Sequence, residues 1–187
     1  MSRPYHHGDL RAQVLRSAAD LVATDGPDAL SMRDLARRAG VSHAAPAHHF
    51  GDRSGLFTAL AAEGFDLLAS ALAASVGDGR FDRTAVAYVR FAVAHPGHYA
   101  VMFRADLVDA ASPLLLAART RAGDLLADGL ASVPADRVVV DPEDARRAAW
   151  ALVHGLSTLW LSGALPGVDP EVTALAAAHQ LFGSRDG

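Results

Sequence analysis

Between Ser31 and Phe57 the chain reads SMRDLARRAGVSHAAPAHHFGDRSGLF. Arg33, Arg37, Arg38 and Arg53, the hydroxyls of Ser31 and Ser42, and the imidazoles of His43, His48 and His49 crowd into this segment. Groups of these types recognise phosphate oxygens and base edges. A different chemistry is suggested by His95-x-x-His98, since neutral imidazoles bind zinc. Pro96 and Gly97 lie between the two rings, however, and argue against the helical i, i+3 spacing that a metal would use. Cysteine is absent, as are a G-x-S-x-G elbow and an H-E-x-x-H helix. We therefore expect no catalytic residue, no metal and no cofactor, and the chain is read as not an enzyme.

The elements that must position the 31–57 segment are legible in the same residues. Ser31 reads as a helix N-cap with Asp34 as its capping-box partner, and Leu30 can staple against Leu35. Met32, Leu35, Ala36 and Ala39 keep helical spacing. Gly40 supplies a left-handed stop, Val41 plugs the angle that follows, and Ser42 is expected to cap the next helix. Two short helices joined by a glycine turn make a helix-turn-helix, whose second helix can enter a DNA major groove. Upstream, residues 9–24 form an amphipathic helix that Gly26-Pro27 breaks. Downstream, Asp52 caps a long helix through about Ser75 with Leu56, Phe57, Leu60, Phe65, Leu68 and Leu72 on its apolar face.

Further helices are expected at 82–95, from Pro96 through Phe103, from Pro113 to about Val133, at 143–164 and at 170–182. A brief extended piece is placed at Val138–Val140. Asp141-Pro142 and Asp169-Pro170 read as N-cap plus N1 proline. The 143–164 helix is apolar on nearly every side, so it must be buried on most faces. The helix after it shows one stripe of Val172, Leu175, Ala176 and His179, and the two helices together suggest a subunit interface.

Composition agrees with an all-α protein: 51% of the 187 residues are apolar and alanine dominates. All 17 basic side chains are arginine, and the formal net charge is -4. That charge is uneven. Residues 1–53 carry seven arginines against six aspartates, whereas the remainder carries ten arginines against 15 acids. Duplex DNA approaching the N-terminal part would meet a mildly basic face. No run of 18 apolar residues and no signal-peptide core is seen, so no membrane association is expected and the location is read as cytoplasmic.

Residues 8–68 resemble a TetR-type (tetracycline-repressor-like) transcriptional regulator. The resemblance rests on the first helix, Gly26, Leu30-Ser31, Asp34-Leu35-Ala36, Ala39-Gly40-Val41-Ser42, His49-Phe50 and Arg53 before Leu56. Tyr88-Val89-Arg90-Phe91, His95-Pro96-Gly97 and the run from Trp150 to His154-Gly155 are similar to one TetR subgroup named for a Trp, His, Gly signature. The resemblance implies a DNA-binding domain at 8–68, with its helix-turn-helix at about 31–50. It also implies a helical ligand-binding and dimerisation domain at 69–187, joined to the first by a long helix. A homodimer formed through the last two helices would hold a near-palindromic double-stranded operator, repressing until a small lipophilic effector releases it. Where family members usually carry a tyrosine in the recognition helix, this chain has Ala47, beside His48.

On that reading His43, Ala44 and Ala45 are candidate base readers, the alanines through thymine methyls. Ser31, Arg33, Ser42, His48, His49 and Arg53 are candidate phosphate contacts. Arg37 and Arg38 are expected to pair with local acids. Phe91, His95, Tyr99, Met102, Phe103, Trp150 and His154 are candidates for an effector pocket, or else ordinary core. Two other functions stay open: a ligand-binding helical dimer with weakened DNA binding, and a histidine-based metalloenzyme.

Overall fold

The computed structural model describes residues 7–76, 81–135, 138 and 140–182. Regular structure among them is entirely helical: α1 (His7–Asp25), a 3-10 turn (Pro27–Ala29), α2 (Met32–Arg38), α3 (Ala45–Phe50), α4 (Arg53–Val76), α5 (Phe81–Ala94), α6 (Pro96–Met102), α7 (Pro113–Ala131), α8 (Pro142–Leu161) and α9 (Pro170–Phe182). Helix ends follow local chemistry. Gly26, at φ 79°, separates α1 from the 3-10 turn, which Pro27 opens. Asp141 accepts from the Glu143 N–H at 2.9 Å, and Asp169 accepts from both Glu171 and Val172 at 2.9 Å. Of the expected extended piece, Val139 lies outside the described residues, and Val138 and Val140 form no strand.

The chain divides into two compact units. One takes the chain up to Phe65 and again His95–Ala118; the other takes Asp66–Ala94 and the residues from Arg119 onward. In the first, Val14, Leu15, Ala18, Leu21 and Val22 of α1 are buried with Leu35 and Ala36 of α2 and Leu56, Phe57 and Leu60 of α4. Helix α6 lies on α1. Gly97 makes that approach possible, because a Cβ there would sit 2.0 Å from the Ala19 carbonyl oxygen. On α4, Gly64 leaves room for Met102 in the same way. The His98 ring is hydrogen-bonded to Glu63 at 3.1 Å, and that bond holds the Glu63 carboxyl below its ordinary range against the opposing effect of burial.

In the second unit α5, α8 and α9 pack together. Tyr88 and Val89 of α5, Ala149 and Val153 of α8, and Ala174, Ala178 and Phe182 of α9 are buried. Phe81 and Phe182 meet edge to face at 4.9 Å. The stripe of Val172, Leu175, Ala176 and His179 on α9 faces outward, with Val172 and Leu175 65% and 38% exposed, while Ala174 and Ala178 on the other face go inward. Small side chains permit closer helix approach, so the tight contact selects the alanine face. Helix α8 is likewise less buried than its composition implies, with Trp150 at 43% and Leu159 at 49% exposed. The Arg53–Ser75 stretch of α4 has the length and apolarity of a membrane span, but most of it is buried as core.

Candidate nucleic-acid interface

Helix α2 starts where Ser31 places it. The Asp34 N–H donates to Ser31 Oγ at 3.1 Å, and the Ser31 hydroxyl donates to Asp34 Oδ2 at 2.8 Å. Arg37 donates to the other carboxylate oxygen at 2.9 Å. The Ser31 bond first, and the Arg37 bond second, lower the Asp34 pKa. Arg38 reaches Asp25 at 3.5 Å. Arg37 and Arg38 are thus matched by local acids. Arg33 is exposed and forms no ion pair among the described residues.

The turn after α2 is a Schellman stop. The Gly40 N–H donates to Arg37 O at 3.2 Å and the Val41 N–H donates to Ala36 O at 3.0 Å, with Gly40 at φ 65°. Gln13 of α1 donates to Ala39 O at 2.7 Å and ties the end of α2 to the first helix. Helix α3 begins later than Ser42 predicts. Its N-cap is Ala44, with no side-chain cap, and Ser42 takes part only through its carbonyl, which accepts from Ala45 N–H at 3.0 Å. Pro46 sits in the first turn, where its missing N–H costs least.

The rotation of α3 decides which candidates face outward. Ala45 and Pro46 are buried; Ser42, His43, Ala44, Ala47 and His48 are exposed; His49 and Phe50 are half-buried. Ala45 therefore leaves the set of base readers, because a methyl turned into the core meets no thymine. Ala47 takes its place on the outward arc, one turn beyond Ala44 and beside His48. Helical spacing of 44, 47 and 48 is the signal that would have found it. The His48 and His49 rings meet edge to face at 5.4 Å, and the Arg11 guanidinium lies 5.2 Å over the Phe50 ring.

Gly51, at φ 76°, turns the chain toward α4, and Asp52 accepts from the Gly55 N–H at 2.8 Å. A Cβ on Gly55 would collide with the Phe50 carbonyl oxygen at 2.0 Å, so this glycine sets how closely α4 follows α3. Arg53 has work inside the fold. One Nη donates to Pro27 O at 2.6 Å, the guanidinium stacks 5.0 Å over Phe57, and Nε is buried without a hydrogen-bond partner. Only the outer part of its guanidinium remains for the phosphate contact expected of it.

The effector-pocket candidates divide between the two units. His95, Tyr99, Met102 and Phe103 belong to the first. There Tyr99 and Met102 are buried, and the Phe103 ring meets both Phe65 and Tyr99 at 5.5 Å. Burial, and then the neighbouring His98, hold His95 below the usual imidazole range. Phe91, Trp150 and His154 belong to the second unit. Phe91 is buried, Trp150 is exposed, and His154 Nδ1 lies 3.2 Å from the Tyr88 hydroxyl, with burial lowering its pKa. A cleft of about 320 Å³ opens elsewhere in this unit, between Ala71, Ala74, Val86, Ala87 and Leu175, with Arg83 and Arg90 along it. Arg90 forms a two-point pair with Glu171. Among the described residues no group of three or more histidines, cysteines or acids is placed to hold a metal.

Two family models match the chain. "Bacterial regulatory proteins, tetR family" covers residues 14–60, and "Tetracyclin repressor-like, C-terminal domain" covers residues 81–181. No curated protein matches significantly. A protein of unknown function from Rhodococcus sp. RHA1 is 37% identical, with 97% of each chain covered and a TM-score of 0.80. The TetR family transcriptional regulator PfmR from Thermus thermophilus is 24% identical over 93% of this chain and 99% of its own, with a TM-score of 0.73. A TetR family transcription regulator from Marinobacter aquaeolei is 20% identical over 95% of this chain and 97% of its own, with a TM-score of 0.70. The last two likenesses speak to the fold alone.

Proposed function

The chain belongs to the tetR family of bacterial regulatory proteins, and from that membership we propose that it is a ligand-responsive repressor holding a near-palindromic operator as a homodimer. The observation that carries the proposal is the outward arc of Ser42, His43, Ala44, Ala47 and His48, flanked by exposed Arg33. The alanine methyls of that arc suit base contact, the His43 ring suits a base edge or a phosphate, and Ser31, Arg33, Ser42, His48, His49 and the outer part of Arg53 suit phosphate. In a dimer, two such arcs spaced about 34 Å apart would enter successive major grooves of one duplex.

The exposed Trp150 and Leu159 of α8 and Val172 and Leu175 of α9 support pairing through the last two helices, because apolar side chains left in water favour a covering partner. Trp150, His154 and Gly155 on α8 favour the Trp-His-Gly subgroup. A small lipophilic effector would act by binding more tightly to a dimer whose reading helices are wrongly spaced for DNA.

The test is selection of bound fragments from a random duplex pool by the purified chain at modest salt. A recovered inverted repeat supports a dimeric, sequence-reading regulator. A folded dimer that enriches nothing favours the second reading, a ligand-binding dimer with weakened DNA contact. That reading is motivated by the absence of arginine and lysine from α3.

A further inference from the structure

From Ala39 to Asp52 the three histidines are the basic residues present, without an arginine or lysine among them. His43 and His48 are exposed, and His49 is half-buried with its ring against His48. A neutral imidazole offers one N–H donor, whereas the protonated ring offers two and a full charge. Histidine is also the side chain whose charge changes between about pH 5 and pH 8.

The surroundings matter as much as the rings. Helix α2 presents Arg33, Asp34, Arg37 and Arg38, α1 presents Arg11, and the start of α4 presents Asp52 and Arg53. Each nearby acid has another partner: Asp34 is held by Ser31 and Arg37, Asp25 by Arg38, and Asp52 by the Gly55 N–H. No carboxylate is hydrogen-bonded to His43, His48 or His49 among the described residues. The negative partner for these rings therefore arrives with the duplex, whose phosphates favour the charged form.

We propose that DNA binding by this protein is proton-linked: His43 and His48 meet phosphate as imidazolium, so the reading surface gains affinity as pH falls from about 8 to about 6. This rests on the DNA-binding reading of the same surface and adds its regulation. Each proton taken up on binding changes the association constant up to about tenfold per pH unit. Each added phosphate contact steepens the salt dependence by about 0.9 in the log–log slope.

The experiment is fluorescence anisotropy of the full chain against a labelled random-sequence duplex of about three helical turns. It is run at fixed salt and at several pH values between about 6 and 8, with circular dichroism confirming the fold at each. At least about a tenfold gain toward low pH is expected, together with a steeper salt slope there. The His43→Gln/His48→Gln double variant should lose the pH gradient. Arg33→Ala should weaken binding at every pH and keep it. Binding that is level across the range, or a gradient that persists in the double variant, overturns the proton linkage and leaves the DNA-binding reading intact. A folded chain that binds at no pH overturns both.

Discussion

Arg53 shows how one side chain can be placed by sequence and reassigned by packing. Its position before Leu56 marks it as a phosphate contact, yet one Nη is committed to Pro27 O and the ring of Phe57 lies beneath it. Arg53→Ala is expected to lower stability by about 1 kcal/mol, the scale of one hydrogen bond in a half-exposed place. It should also weaken DNA binding, and Arg53→Lys should recover little of the stability because a lysine lacks the fork. Urea denaturation alongside duplex binding separates the roles. An unchanged denaturation midpoint with weakened binding would make Arg53 a phosphate donor alone. Ala45 teaches the converse. Its residue type suits a thymine methyl, but α3 begins at Ala45 rather than just after Ser42, and the shifted start turns this methyl inward.

Among the elements, α6 is the one whose place sequence order does not suggest. It follows α5 directly, but compactness joins it to α1 through Gly97. Gly97→Ala puts a methyl on the Ala19 carbonyl and should cost about 1–3 kcal/mol as α6 is pushed off, read as a lowered Tm. A Tm equal to the parent's would mean that α6 yields without strain. Helix boundaries are far more predictable. Ser31, Asp52, Asp141 and Asp169 each satisfy N–H groups of their helices, and Gly40 and Gly51 turn the chain at positive φ. Such caps depend on residues three or four positions apart, so they survive in a linear reading. Ser42 does not act as a cap: the N-cap falls two residues later, at Ala44, which keeps Pro46 in the first turn of α3 where its missing N–H costs least.

At the scale of the whole molecule, burial governs assembly and acid stability. The exposed apolar face of α8 and α9 should be covered in a homodimer, so Leu159→Asp should convert a dimer to a monomer in sedimentation experiments. A Leu159→Asp chain that sediments like the parent would place the interface elsewhere. Stability should also depend on pH. Burial holds His154 and His95 below the ordinary imidazole value of 6.5, so the unfolded chain takes up protons before the folded one. Stability is then lost as pH falls below about 6.5. Glu63, held low by His98, adds stability above the carboxylate value of 4.5 that disappears as pH falls through its lowered value. Thermal melts from about pH 8 to about pH 4 should show both losses. A Tm that stays level down to about pH 5 contradicts the burial of the two rings. Acid thus works against the fold while it strengthens the proposed grip on DNA.

Helix order, caps and turns, the all-α class and the helix-turn-helix segment are all written in the linear chain, because they depend on short-range spacing and on periodicity. The inward face of α4 was legible in its spacing, since Leu56, Phe57, Leu60, Phe65, Leu68 and Leu72 are all buried, whereas for α3 and α9 tertiary packing decided it. Val172 and Leu175 form a stripe at helical spacing, yet Ala174 and Ala178 permit the closer approach and take the inward face, and Ala45 looks like a reader until α3 is rotated by its late start. The pocket candidates stay ambiguous in the sequence for the same reason. An aromatic or a histidine at helical spacing says that some neighbour must cover it. Only packing says whether the ring is half-buried beside the Tyr88 hydroxyl, as His154 is, or left 43% exposed, as Trp150 is.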